Sequence, residues 1–370
     1  MKRKLMILSF TLLLLVSSTN ISYSSTKIIE SPDIRLIING KSCTVNSIPI
    51  LMNGRTLLPL TDVASAFGIP NDKQHIIWNS AQKSISIIKD SSKIIISINK
   101  NKALVNNKEI KTDVYPIIYK DRTYIPLSLI GNCFERKVLW DGNSKTIAIC
   151  SSDNYNANKS IIENCVASMN ALRKYELIQN GNSDYEYIDT GETGKTHSNS
   201  YQIWDIDKRI LSLSYNSNLV FSSGGSTSFN NMIYTAEGKS YTKSSDNPWK
   251  LDTSIETKKN DVFKNDFGKL FDKSIYYSGL RKTVSPGLND IILEGDVINM
   301  SESDKDDRVI NCHTKIVIDI NNYFIKQMTA YSNTISRFEG EDYLKHYTDY
   351  DSHYNKLDDK YEIPNPVDNN

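Results

Sequence analysis

Five histidines (His75, His197, His313, His346, His353) and five cysteines (Cys43, Cys133, Cys150, Cys165, Cys312) carry most of the reactive chemistry in this chain. Neither set is spaced to share an ion or a proton. No histidines stand as His-x-His and no cysteines as Cys-x-x-Cys, so the sequence encodes no local zinc ribbon, thioredoxin-type pair or copper-binding imidazole cluster. The odd cysteine count permits at most two intramolecular bridges. Cys133–Cys150 stays open as one of them, against the simpler reading of buried small hydrophobes. "SESDKDDR" at 301–308 gathers four acids without the ligand spacing and glycine of a calcium loop, so it reads as a solvated loop. "GETGKTHS" at 191–198 lacks the four-residue spacer of a phosphate loop, and "FSSGGSTS" at 221–228 reads as a flexible loop rather than a nucleophile elbow. The expectation is therefore a protein without catalytic, cofactor-binding or metal-binding residues, with no cofactor, and not an enzyme.

The elements that would position any site begin after a leader. Lys2, Arg3 and Lys4 precede an apolar run from Leu5 to Val16. Small residues follow, with Ser22, Tyr23 and Ser24 as the cleavage region. This is the pattern of a signal peptide over 1–25, preferred to a retained anchor. No later stretch is long and apolar enough to be a transmembrane helix, and no cysteine or wall-sorting signal marks a covalent anchor. The expected location is secreted or extracellular, with non-covalent association to the cell wall. Charge is divided: residues 26–150 hold 17 Lys and Arg against 10 Asp and Glu, while 151–370 hold 24 against 33. Opposite signs in the two halves predict two domains with different partners, dispersed solubilising charge being the plainer alternative.

The first half is an internal repeat. "NGRTLLPL" at Asn53–Leu60 returns as "KDRTYIPL" at Lys120–Leu127. Pro49 corresponds to Pro116, Leu60, Val63 and Phe67 to Leu127, Ile130 and Phe134, and, after five extra residues in the first unit, Trp78 to Trp140. Each unit, about 34–90 and 100–150, reads as ββ-α-ββ. Asn-Gly hairpin turns come first. A helix follows with Pro59 in its first turn, an apolar face at i, i+3 and i+7, and Gly68 at its end. A tryptophan-bearing hairpin closes the unit. In the second unit Glu135 stands where Gly68 would be expected.

These motifs, given twice, resemble the copper amine oxidase N-terminal-like (stalk) domain family over about 30–150. The resemblance implies a small β-rich module of exported bacterial proteins with no oxidase activity of its own. The rest of the chain agrees, since it contains no Asn-Tyr-Asp/Glu site for a self-made quinone.

In the second half, "SSDNYNA" at 151–157 reads as a linker. Ile161, Ile162, Cys165, Val166, Met169 and Leu172 then recur on one helical face. Strands dominate afterwards. They turn at "IDKR", at Glu237-Gly238, at Ser245–Pro248 and at Asn321-Asn322, with a helix near Val262–Asp272. The fold class is α+β, mainly antiparallel β: a long meander with a leading helix over 158–370. This pattern loosely resembles LolA/LppX-like lipoprotein-carrier domains. That resemblance implies a curved half-barrel with a cavity for a lipid or other apolar ligand, and a well-packed sheet without one is the alternative.

Together these features predict an exported, non-enzymatic bacterial envelope protein. Its N-terminal module would engage a cell-wall polymer or envelope protein. The alternative is a carrier or sensor of an apolar ligand through the C-terminal domain. There is no nucleic-acid signature. The abundance of Ile, Lys and Asn fits an AT-rich bacterial genome.

Overall fold

The computed structural model describes residues 27–245, 247–253, 263, 267–271, 275–285, 289–297 and 307–367. The leader and most of the acidic stretch at 301–308 lie outside the described residues, as do 262, 264–266 and 272 of the helix expected near Val262–Asp272. Of that helix a 3-10 turn, Phe267–Phe271, is described.

The first unit contributes β1 (Ile28–Glu30), β2 (Arg35–Ile38), β3 (Lys41–Cys43), β4 (Ile50–Met52), β5 (Arg55–Pro59), α1 (Leu60–Ala66), β6 (Ile76–Asn79) and β7 (Ser84–Lys89). After β8 (Ser92–Ser97) the second contributes β9 (Lys102–Val105), β10 (Lys108–Lys111), β11 (Ile117–Tyr119), β12 (Arg122–Pro126), α2 (Leu127–Cys133), β13 (Arg136–Asp141) and β14 (Thr146–Ser151). Two hairpins, rather than one, precede each helix. Asn39-Gly40 and Asn53-Gly54 take positive φ at both positions, as two-residue hairpin turns require, and Asn106-Asn107 and Lys120-Asp121 repeat that geometry without glycine. Pro59 and Pro126 each end a strand in an extended conformation (ψ 126° and 141°) and cap the helix, one residue earlier than the sequence suggests.

The two units do not fold side by side. Three sheets have the orders β1-β4-β5-β12-β11, β10-β9-β8-β7-β6 and β13-β14-β2-β3, so every sheet draws strands from both units. β5 and β12 pair at the centre, with Leu58 opposite Ile125. The last strand of the second unit pairs in parallel with the first hairpin of the first, Ile147 opposite Leu36. The equivalent phenylalanines Phe67 and Phe134 meet with ring centroids 5.0 Å apart, and one core containing Leu58, Val63, Ile125 and Ile130 serves both units.

Gly68 closes α1 at φ +71°, and Glu135 is held at φ +52° after α2. A side chain there costs about 1 kcal/mol relative to glycine. Glu135 is exposed, so Glu135→Gly is expected to raise stability by about 0.5–1 kcal/mol, measured by urea unfolding.

No linker follows. Ser151 ends β14, and its Oγ accepts a hydrogen bond from the Asn154 backbone N–H at 3.1 Å, capping α3 (Ser152–Asn170). The polar residues that suggested a loop fasten this helix. Asn158 is fully buried, and its Nδ2 donates to the carbonyls of Tyr277 and Leu280, at the end of α4 (Ile275–Gly279), at 3.1 and 2.7 Å. Asn154 Nδ2 donates to the same Leu280 carbonyl at 3.0 Å.

The second half is one antiparallel, half-barrel sheet of eleven strands. These are β15 (Lys174–Tyr187), β16 (Thr193–Asp205), β17 (Ile210–Phe221), β18 (Ser226–Ala236), β19 (Lys239–Ser244), β20 (Lys250–Asp252), β21 (Arg281–Val284), β22 (Asp290–Gly295), β23 (Arg308–Asp319), β24 (Ile325–Phe338) and β25 (Glu341–Lys356). The order is β20-β19-β18-β17-β16-β15-β25-β24-β23-β22-β21, which puts the last strand beside the first. α3 contributes Ile161, Ile162, Cys165 and Met169 to a core that also holds Tyr175, Ile316, Met328 and Tyr354 of the sheet. Ile37 and Ala148 of the N-terminal half belong to that same core, so the halves share packing. Polar contacts join them too. Asp296 N donates to the Gly40 carbonyl at 2.9 Å, Ser42 N donates to Asp296 Oδ2 at 2.7 Å, and Arg337 pairs with Asp33 at 2.8 Å.

Candidate functional site

The interleaving of the repeats creates a cleft of about 420 Å³ that neither unit could build alone. Leu60 and Thr61 at the start of α1 and Ile76, Trp78 and Ile85 of the β6–β7 hairpin come from the first unit. Ile118, Asp121, Arg122 and Thr123 of the β11–β12 hairpin come from the second. Trp78 faces Ile85 across the hairpin and remains 45% exposed, while Ile118 is 51% exposed. Large apolar groups left in water beside a cation form a surface suited to a ring that stacks and carries polar substituents. Among the described residues Arg122 has no ion-pair partner. Arg55, its equivalent, is paired with Asp113 at 2.6 Å.

The five histidines are dispersed. His75 contacts Asp72, His197 contacts Asn182, His313 contacts Asp296, His346 contacts Thr348 and His353 contacts Asp351, each through a hydrogen bond of 2.8 to 3.1 Å. Among the described residues no group of three or more His, Cys, Asp and Glu is placed to hold a metal ion. All five cysteines are free, so the Cys133–Cys150 bridge is not formed. Cys133 and Cys165 belong to the two large apolar cores, Cys150 Sγ lies 4.0 Å from the Tyr277 carbonyl, and Cys312 Sγ accepts from Arg35 and donates to the Asp296 carbonyl, each at 3.2 Å. Burial pushes the Cys133 and Cys165 thiols up to about 12, which keeps them protonated and poorly nucleophilic. "GETGKTHS" forms the Thr193 end of β16, where Gly194 lies beneath the Tyr185 ring. Among the described residues no helix is long and apolar enough to cross a membrane.

This geometry, a double-hairpin repeat with helices started by Pro59 and Pro126 and closed at Gly68 and Glu135, has a family counterpart. Residues 37–149 match the copper amine oxidase N-terminal domain. That domain is of the non-catalytic, stalk type, and its match covers the repeat and stops before α3. No curated protein matches the chain. Among solved structures, the S-type phycobiliprotein lyase from Guillardia theta is similar at 7% identity over 54% of this chain and 98% of that one, with a TM-score of 0.17, too low to support a common fold. The composite cleft was not legible in the sequence. Its one signal was that Trp78 and Arg122 sit in motifs that the repeat preserves.

Proposed function

We propose that this is an exported, non-enzymatic envelope protein whose copper amine oxidase N-terminal domain holds an anionic cell-wall polymer. The observation that carries the reading is the composite cleft, which exposed Trp78 shares with Arg122, a cation with no ion-pair partner among the described residues, in a half (26–150) with an excess of seven cations. Trp78 would stack on a sugar ring, and Arg122 would meet an acidic substituent. The surrounding excess of Lys and Arg adds a long-range attraction that salt screens. The leader pattern at 1–25 supports export.

The carrier reading calls for an apolar cavity against the large sheet. The apolar end of that sheet is packed by α3, α4 and the 3-10 turn, which favours the first reading. Sedimentation of the mature chain with purified bacterial sacculi tests it. Arg122→Glu is expected to lower the bound fraction about tenfold at low salt, and Trp78→Ala by a similar factor. Binding that neither variant changes counts against the cleft.

A further inference from the structure

The sheet face opposite the helices carries residues that sheet stability does not call for. One register row crosses seven neighbouring strands as Ser228, Asn218, His197, Asn182, Asp349, Tyr331 and His313. The row beside it begins Asn230, Asn216, Asn199 and Asn180. Asparagine is depleted in strands because its amide competes with the backbone. Here it recurs at alternate positions (Asn180 and Asn182, Asn216 and Asn218), so that the amides share one face. They are ordered by one another: His197 Nδ1 lies 2.8 Å from Asn182 Oδ1, Asn182 Nδ2 donates to Asp349 at 3.0 Å, and Asn216 Nδ2 donates to Asn199 at 3.1 Å. Each amide has more hydrogen-bonding capacity than these bonds use.

Aromatic rings continue the face. His313 stacks on Tyr331 at 5.9 Å, and Tyr331 on Tyr347 at 6.4 Å. The stack ends at Tyr347, which lines a groove of about 570 Å³ near the strand tips. Two further register rows floor that groove: Asn333, Tyr347, Asp184 and Lys195, then Ile335, Lys345, Glu186 and Thr193. Its cations are already neutralised, Lys195 by Asp184 at 3.1 Å and Lys345 by Glu186 at 2.9 Å. A groove with its charges paired internally disfavours a phosphate-rich or carboxylate-rich ligand. Planar amides, a terminal aromatic ring and balanced charge complement an uncharged molecule that is dense in hydroxyl or amide groups. Six strand spacings give the row a length of roughly 29 Å, which suits an extended chain better than a single ring.

We infer that this outward face binds a neutral glycan chain of β-linked hexose or N-acetylhexosamine units, seated in the groove beside Tyr347 and along the Asn182 row. The site is separate from the cleft at Trp78 and differs from it in charge.

Isothermal titration of the mature full-length chain with cellohexaose and with chitohexaose tests the inference. At least one hexasaccharide is expected to bind, with little dependence on salt. Tyr347→Ala is expected to weaken binding about tenfold while Tyr347→Phe retains it. Asn182→Ala, at an exposed position, is expected to weaken it without disturbing the fold, with circular dichroism as the check. Trp78→Ala should leave this binding intact, so loss of the cleft function and loss of this site are distinguishable. The inference is overturned if neither hexasaccharide binds at about 10 mM. It is equally overturned if binding survives both Tyr347→Ala and Asn182→Ala, or if Trp78→Ala abolishes it.

Discussion

Gly295→Ala is expected to destabilise the protein by about 3 kcal/mol or more, lowering its urea midpoint sharply and loosening the contact between the two halves. A Cβ at 295 would fall on the Gly279 carbonyl oxygen and lie 3.1 Å from the Gly40 carbonyl oxygen. Both neighbours are backbone, so no side chain can swing away. Neither segment is free to retreat. α4 is tied through Asn158 to the buried face of α3, and the Gly40 carbonyl accepts from Asp296 N. Gly40 is itself tightly placed at φ +82°, where a Cβ would stand 3.2 Å from the Glu294 carbonyl oxygen. Gly225→Ala is the control. Its nearest neighbour would be a Phe221 ring carbon at 3.7 Å, an ordinary contact, and its expected cost is below about 0.5 kcal/mol.

The second large effect concerns Asp33, a carboxylate in the N-terminal half facing three cations. Arg337 lies 2.8 Å away, and Lys145 and Arg308 each lie 3.6 Å away, with the Asp33 side chain 15% exposed. Burial acts to raise its pKa, but the hydrogen bond from Arg337 and the charges of Arg337, Lys145 and Arg308 outweigh it and hold the carboxyl below its ordinary value. A depressed carboxyl pKa contributes stability that is fully present above the unfolded-state value and disappears as pH falls through the folded value. Asp33→Asn is therefore expected to cost about 2 kcal/mol at neutral pH, since it removes the anion that Lys145, Arg308 and Arg337 share and leaves the two arginines with Asp342 alone. The difference from wild type should shrink as the medium is acidified through the carboxylate range. Urea denaturation at several pH values checks this, and a penalty independent of pH would show that the pair contributes through packing alone.

Local chemistry was readable where one residue type determines one conformation. The Asn-Gly turns, the prolines before the helices and the positive φ after Phe67 all follow from steric limits acting within a few residues. The Glu237-Gly238 turn likewise takes positive φ at both residues. The 151–157 segment has loop-like composition, with Ser151, Asp153, Asn154 and Asn156 in seven residues, and Asn158 directly after it. The Ser151, Asn154 and Asn158 side chains cap a helix and reach α4, more than 100 residues away, a contact that composition cannot reveal. The order of pairing was also hidden. Each hairpin presents the same alternation of apolar residues whether its partner lies in its own unit or the other one, so the interleaved sheets left no local trace, and the cleft showed only in that Trp78 and Arg122 sit in motifs the repeat preserves. The outward face lies between these cases. Its alternating asparagines were visible as a pattern, but their alignment into one row depends on the register of seven strands.

The most direct test of envelope binding through the cleft is co-sedimentation of the mature chain with bacterial sacculi that retain their anionic polymers. The salt concentration should be raised from about 0.05 to about 0.5 M, a range over which screening of exposed charge becomes severe. The account predicts strong binding at low salt that falls steeply as salt rises, and near-complete loss of this salt-dependent fraction in the Trp78→Ala, Arg122→Glu double variant. Binding that is absent at low salt, or that the double variant retains with the same salt dependence, would contradict it.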